Sequence, residues 1–174
     1  MPLAIAIWLQ NTPPFLFIRE AVYGYPIALS CHLVFISFSA AMIVITDLRL
    51  LGVAFRGYAV SEIVDQLRIP KRIGFLLAAG CGFLIFGIKS EEYYYNAFFR
   101  VKLLLFLLVG VHALVFRRSV YKRAQELDGA SPLPARAKLA AGISLVLWIS
   151  IACAGRGIGY ISAPLFSHHF ASLR

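Results

Sequence analysis

Acidic residues are scarce in this sequence: 8 Asp and Glu stand against 17 Lys and Arg, and only 14% of the 174 residues are charged. With 60% hydrophobic residues and a mean hydropathy of +0.80, the chain is too apolar for a soluble domain of this size. We therefore expect a lipid bilayer around it. The net charge of +9 fits loops beside anionic lipid, and no nucleic-acid partner is expected.

The sequence also lacks the usual marks of an enzyme or a disulfide scaffold. It contains no glycine-rich phosphate loop, no metal-spaced cysteine pair and no nucleophile elbow. Its three cysteines, an odd number, all fall within apolar segments, where they fit helix packing rather than disulfides. Copper handling through Cys31, His32 and Met42 offers too few soft ligands at useful spacing. A non-catalytic protein is the expectation.

Four apolar runs approach the ~20 residues that span a bilayer, and spanning segments in lipid form helices because their backbone groups must bond internally. The runs are Tyr25–Thr46, Ile73–Ile88 with an extension to Tyr93, Phe98–Phe116 and Leu139–Tyr160. The pattern predicts an all-α transmembrane four-helix bundle with short interfacial helices. Residues 1–24 form an interfacial segment, 25–160 the membrane domain and 161–174 a C-terminal tail. "SEIVDQL" from Ser61 is expected to form a helix at the membrane surface.

Basic residues fix the expected orientation, because Lys and Arg near span ends stay cytoplasmic. They concentrate in the connections between spans one and two and between spans three and four. Both connections are predicted to be cytoplasmic and both termini periplasmic, in a multi-pass protein of the bacterial inner membrane.

Two histidines, His32 and His112, lie inside predicted spans, where ionisable residues are candidates for function. Histidines on different helices of a bundle suggest axial ligands of a haem b, since bundle cores build cofactor sites from facing side chains. Arg156, near the outer end of the fourth span, is a candidate partner for a haem propionate. Glu91 or Glu92 would serve Arg156 equally well.

The depths of the two histidines argue against one shared haem. Counting from the span centres places His32 ~5 Å to the outer side and His112 ~7 Å to the inner side. His32 could instead take a partner from His168 or His169 in the tail, leaving His112 bonded to a backbone carbonyl. For each histidine, the alternative to haem ligation is a structural role in which the ring only forms a hydrogen bond. A carbonyl-bonded His32 beside a solidly packed bundle centre would exclude the haem interpretation.

The aromatic segment "EYYYNAFFR" from Glu92 is typical of an outer interface. Tyr93, Tyr94 and Tyr95 are expected to form a headgroup belt, with quinone stacking as the alternative.

Three motifs carry a resemblance to a known family: "DLRLLG" from Asp47, "FFRVKLLL" from Phe98 and "AGRGIGY" from Ala154. From Tyr25 to Tyr160 the chain resembles a bacterial four-helix integral-membrane family classed as a domain of unknown function. More loosely it is similar to b-type cytochrome and copper-resistance membrane domains. The resemblance implies a histidine at position 32, but an amide at position 112 and a histidine nearer Arg117. The second ligand therefore does not follow from it.

The sequence is compatible with two functions. The first is a small membrane subunit that holds haem b through His32 and His112 and passes electrons between a periplasmic redox partner and the membrane pool. The second is a cofactor-free accessory subunit that packs against a larger membrane complex, with both histidines donating hydrogen bonds.

Overall fold

The structure is a computed structural model that describes residues 3–130 and 132–160. It contains seven α-helices and one 3₁₀ segment, and the described residues include no strand, so the all-α prediction is confirmed. The elements are α1 (Leu3–Gln10), α2 (Pro13–Glu20), α3 (Gly24–Leu51), α4 (Val60–Ile88), α5 (Ser90–Tyr95), α6 (Ala97–Ser119), the 3₁₀ segment (Tyr121–Leu127) and α7 (Ala135–Tyr160).

Four of these helices are long and apolar enough to cross a membrane: α3, α4, α6 over Ala97–Phe116, and α7. The chain is therefore a multi-pass membrane protein, as predicted. The sidedness of the termini stays a prediction. The short helices α1 and α2 occupy the predicted interfacial segment, and the tail with His168 and His169 lies outside the described residues.

The second span differs from its prediction at both ends. Helix α4 ends at Ile88 and does not extend to Tyr93, which belongs to the separate helix α5. At its other end α4 begins at Val60 and runs through Pro70 without interruption, so the predicted surface helix is its first part. Val60 and Val64 are buried in the core, which holds this part in line with the span. A proline inside such a helix is tolerated where neighbouring elements compensate for the missing N–H.

The four spans pack in the order α4, α3, α7, α6. Among the described residues, no Cα atom of α4 lies within 8 Å of one in α6 or α7. Helices α3 and α7 thus form the floor of a cleft, and α4 and α6 form its two walls.

The two ends of this cleft are closed differently. At one end, here called the loop end, the 3₁₀ segment contacts both α4 and α6. The buried core there includes Leu50, Val120 and Ala137, none more than 1% exposed. At the other end, here called the α5 end, α1 packs on α5, and the Ser90 hydroxyl donates a hydrogen bond to the carbonyl of Ala6.

Close packing of α3 on α4 depends on a missing side chain at Gly74. A Cβ atom there would lie 2.6 Å from Ser39 Oγ and 2.8 Å from Phe38 Cδ1. By contrast, a Cβ at Gly80 of the same helix would meet nothing within 4 Å. Small residues allow this kind of close helix approach in membranes.

We predict that Gly74→Ala lowers the free energy of unfolding by about 1–3 kcal/mol, the usual cost of overpacking. Gly80→Ala is the matched control and should leave stability unchanged or slightly raised, because alanine favours helix. Thermal unfolding of both variants in one detergent measures the difference. Equal melting temperatures for the two variants would contradict the packing described.

The start of α4 is capped by a distant side chain. Asp128 accepts hydrogen bonds from the Ser61 amide at 2.8 Å and from the Ser61 hydroxyl. These bonds hold the pKa of the Asp128 carboxyl below its usual range. A carboxylate suits this position because the first amides of a helix lack partners within the helix.

A carboxyl whose pKa is lower in the folded than in the unfolded state stabilises the fold at pH values above its unfolded-state pKa. This stabilisation is lost as the pH falls through the folded-state pKa. Asp128→Ala should therefore lower the melting temperature at neutral pH, with the gap to the wild type narrowing below about pH 4. Asp65→Ala, which breaks only an exposed pair with Arg68, is the control and should have little effect. A gap for Asp128→Ala that is constant with pH would show that the charge contributes nothing.

Candidate functional site

The cleft between α4 and α6 contains a cavity of about 570 Å³. This volume lies within the range of ~300–1,000 Å³ that is typical of ligand sites. Its walls are apolar except for His32, Ser39, Lys102 and the indole of Trp148. A large apolar pocket with a few convergent polar groups is the form that small-molecule sites usually take.

An aromatic cluster bounds the cavity towards the α5 end. The rings of Phe86 on α4 and Phe99 on α6 stack with centroids 5.2 Å apart, and Tyr93 stacks on both. Tyr93 is only 8% exposed, so it belongs to this cluster and not to the expected headgroup belt, whereas Tyr95 is 64% exposed. Burial raises the pKa of the Tyr93 hydroxyl, with smaller effects from Tyr25 and Glu92.

A second aromatic cluster crosses the cleft nearer the loop end. Phe75, Phe106 and Trp148 meet edge to face, with centroids 6.1–6.3 Å apart. Between the two clusters the cavity is bordered by Phe83 of α4 and Leu103 of α6, each more than half exposed. The cavity therefore opens sideways, between the walls of the cleft.

His32 reaches this cavity from the floor. Its Nδ1 atom lies 2.8 Å from the carbonyl oxygen of Ala78 on α4. Because a carbonyl can only accept, the proton must be on Nδ1, and Nε2 carries the lone pair. Nε2 forms no hydrogen bond with any residue that the structure describes. Gly82 leaves room for the ring, since a Cβ there would lie 3.1 Å from His32 Cε1.

His112 is placed elsewhere. It is 9% exposed, its Nε2 donates to the carbonyl of Ala140 at 2.9 Å, and its ring lies 4.9 Å from that of Phe116. It does not line the cavity. At ~1.5 Å per residue, His32 lies about 12 Å and His112 about 22 Å from the first residues of their helices at the α5 end. The structure does not bring the two rings together, and their joint ligation of a haem stays a prediction.

The other predicted site residues also lie away from the cavity. The Arg156 guanidinium donates to the Tyr160 hydroxyl at 2.8 Å on an exposed surface and contributes nothing to the cavity wall. Cys31 is half-buried with a free thiol. Among the described residues, no group of three or more His, Cys, Asp or Glu side chains could hold a metal ion, so nothing adds to the copper alternative.

Two polar residues of the cavity were not singled out from the sequence. In the sequence, Lys102 reads as a basic residue near a span end. Its position inside the apolar motif "FFRVKLLL" could have indicated a site residue. Ser39 is 1% exposed, and its hydroxyl has no hydrogen-bond partner among the described residues. A serine in an apolar run gives no signal of its own, because serine is an ordinary helix-packing residue in membranes.

Another buried polar residue, Asp47, lies nearer the loop end and outside the cavity. It is 1% exposed, and its Oδ2 atom has no partner within the described part of the chain. Burial raises the pKa of the Tyr121 hydroxyl, and the charge of Asp47 raises it further. Lys71 lies beside the same tyrosine, with Nζ 5.9 Å from the ring centroid. Asp47 therefore belongs to a separate polar group at the loop end of the bundle.

These features define an all-α, multi-pass membrane protein with a ligand-sized cavity beside an intramembrane histidine. The chain belongs to the family of unknown function DUF6644, whose model matches residues 17–161. That range runs from α2 to the end of α7, which confirms the resemblance to a four-helix membrane family. No curated protein and no solved structure matches the chain.

The two carbonyl bonds predict opposite tautomers for the histidines. His32 should carry its proton on Nδ1 and His112 on Nε2, both rings being neutral because a charged side chain is costly in the membrane. Nitrogen NMR of histidine-labelled protein in nanodiscs, assigned with His32→Ala and His112→Ala, measures this directly. The same tautomer at both positions would contradict the geometry.

Proposed function

We propose that the protein binds haem b in the cavity through His32 and acts as an electron-transfer subunit between a redox partner outside the bilayer and the membrane pool. The observation that carries the proposal is the state of the His32 ring. One nitrogen is bonded to Ala78, and the other has no partner within the described part of the chain and lies beside a cavity of about 570 Å³.

The residues present fit such a group in three respects. A histidine that binds iron typically donates its other ring N–H to a carbonyl, which fixes the tautomer and raises the basicity of the ligating nitrogen. The apolar walls suit a flat macrocycle. The rings of the two aromatic clusters add to this apolar lining, and an apolar environment of this kind tunes a redox potential. When bound, haem b supplies reversible one-electron transfer.

His32 is the only predicted ligand that the proposal requires. His112 already donates its Nε2 proton to Ala140, so ligation by that nitrogen would require this bond to break. We therefore treat His112 as a link between α6 and α7 within the proposal. Its predicted role as a second ligand is decided by the same experiment.

Visible spectroscopy tests the proposal. In protein purified from its native membrane, the reduced-minus-oxidised spectrum should show a b-type band, and His32→Gly should lose nearly all of it. Added imidazole should restore part of the band in His32→Gly by occupying the space of the missing ring. Recovery by imidazole separates loss of a ligand from loss of the fold.

His112→Gln is the matched control, since an amide can still donate to the Ala140 carbonyl. It should keep the band, and a lost band would restore His112 as a ligand. Absence of any band in wild-type protein purified with its partners would overturn the proposal and favour the cofactor-free accessory subunit. A band that is unchanged in His32→Gly would overturn the role of His32.

A further inference from the structure

One charged side chain projects into the apolar cavity from the wall opposite α4. Lys102 lies five residues into α6, about 7.5 Å along the helix from Ala97. Among the described residues that line the cavity, it is the only Lys, Arg, Asp or Glu. A lysine at this depth is costly unless its ammonium reaches water or meets a partner.

Lys102 does not turn back towards the nearer end of its helix. Helical side chains lean towards the N-terminus, and a lysine near a span end usually extends to the headgroups. Here Nζ lies 5.9 Å from the ring centroid of Phe106, one turn deeper along α6. A Cβ at Gly155 of α7 would lie 3.5 Å from the same atom. The ammonium is therefore directed into the cleft.

No anion of the protein balances this charge within the described residues. Lys102 forms no hydrogen bond or ion pair there, and its one polar contact is the distant face of Phe106. At the α5 end, Gln10 donates to Glu91 at 3.0 Å, Lys89 pairs with Glu92 at 3.3 Å, and Glu20 is exposed at the end of α2. The Ser39 hydroxyl in the same cavity also has no partner.

We propose that Lys102 is the anion-binding residue of the cavity and that the ligand carries a carboxylate on an otherwise flat, apolar body. This deepens the proposed function, on which it rests, because haem b carries propionates on one side of its macrocycle. Counted along the helices, Lys102 lies about 4 Å nearer the α5 end than His32. The acidic edge of the ligand is thus placed towards that end, and Lys102 takes the role that the sequence suggested for Arg156.

A metal-free probe tests this inference without any need for iron ligation. Protoporphyrin IX carries two free carboxylates, and its dimethyl ester has the same ring with neither. The chain has two tryptophans, of which Trp148 lines the cavity and Trp8 is exposed on α1. In a Trp8→Phe background, saturable quenching of Trp148 in phosphatidylcholine nanodiscs reports binding of each porphyrin.

We expect the acid to bind at least about tenfold more tightly than the ester, the ratio that one charge-assisted hydrogen bond provides. Lys102→Met should abolish this preference by weakening the binding of the acid relative to that of the ester. Arg156→Met is the matched control: it removes a positive charge from the same end of the bundle, and it should keep the preference. Circular dichroism and melting temperature establish that each variant is folded.

The outcomes separate the two proposals. Equal binding of acid and ester to the wild type, a preference that survives Lys102→Met, or no saturable quenching by either porphyrin would overturn the inference. Loss of the preference when anionic lipid is added would show that Lys102 binds a lipid phosphate instead, which also overturns it. An acid preference that depends on Lys102 supports the inference even if no haem band depends on His32. A haem band that depends on His32, without a preference for the acid over the ester, would support the proposed function and overturn the inference about Lys102.

Discussion

A polar side chain within hydrocarbon is destabilising unless it has a hydrogen-bond partner, and this requirement shapes the contacts between the helices. His32 and His112 each satisfy it with a backbone carbonyl of a neighbouring helix. Such a carbonyl has a second lone pair to offer in addition to the one used within its helix. His32 thereby links α3 to α4, and His112 links α6 to α7. The two histidines stabilise the two outer helix pairs of the row α4, α3, α7, α6, and the backbones of the two pairs approach each other where α3 packs on α7.

The spans share a buried core at the loop end and border the cavity farther along. At the loop end, Ala137, Ala140 and Ala141 are fully buried and allow α7 to approach its neighbours closely. Farther along, α4 and α6 stay apart, and side chains such as Phe86 and Phe99 bridge the gap. Packing energy is therefore concentrated at the loop end, whereas the space that can hold a ligand lies nearer the α5 end. Stabilisation by packing and ligand binding therefore involve different segments of the same helices.

Bilayer thickness explains which features could be predicted. It fixes the length of an apolar run, so the four spans followed from the sequence. A helix from Ser61 was predicted at the membrane surface, but its continuation through Pro70 into the second span was missed, because a proline usually marks a helix boundary. The cavity could not be predicted, since it depends on which helices fail to touch. Lys102 was missed because a lysine at that position can extend either to the headgroups or into the bundle.

The sideways opening of the cleft has a consequence for how a ligand would arrive. Phe83 and Leu103 border that opening on surfaces that face the surroundings of the spans. A molecule that enters there diffuses in two dimensions within the leaflet, after partitioning out of water. Occupancy would then follow the mole ratio of ligand to lipid and the partition coefficient, and the aqueous concentration would matter only through them. Additional lipid thus dilutes the ligand and lowers occupancy, just as a second binding protein would.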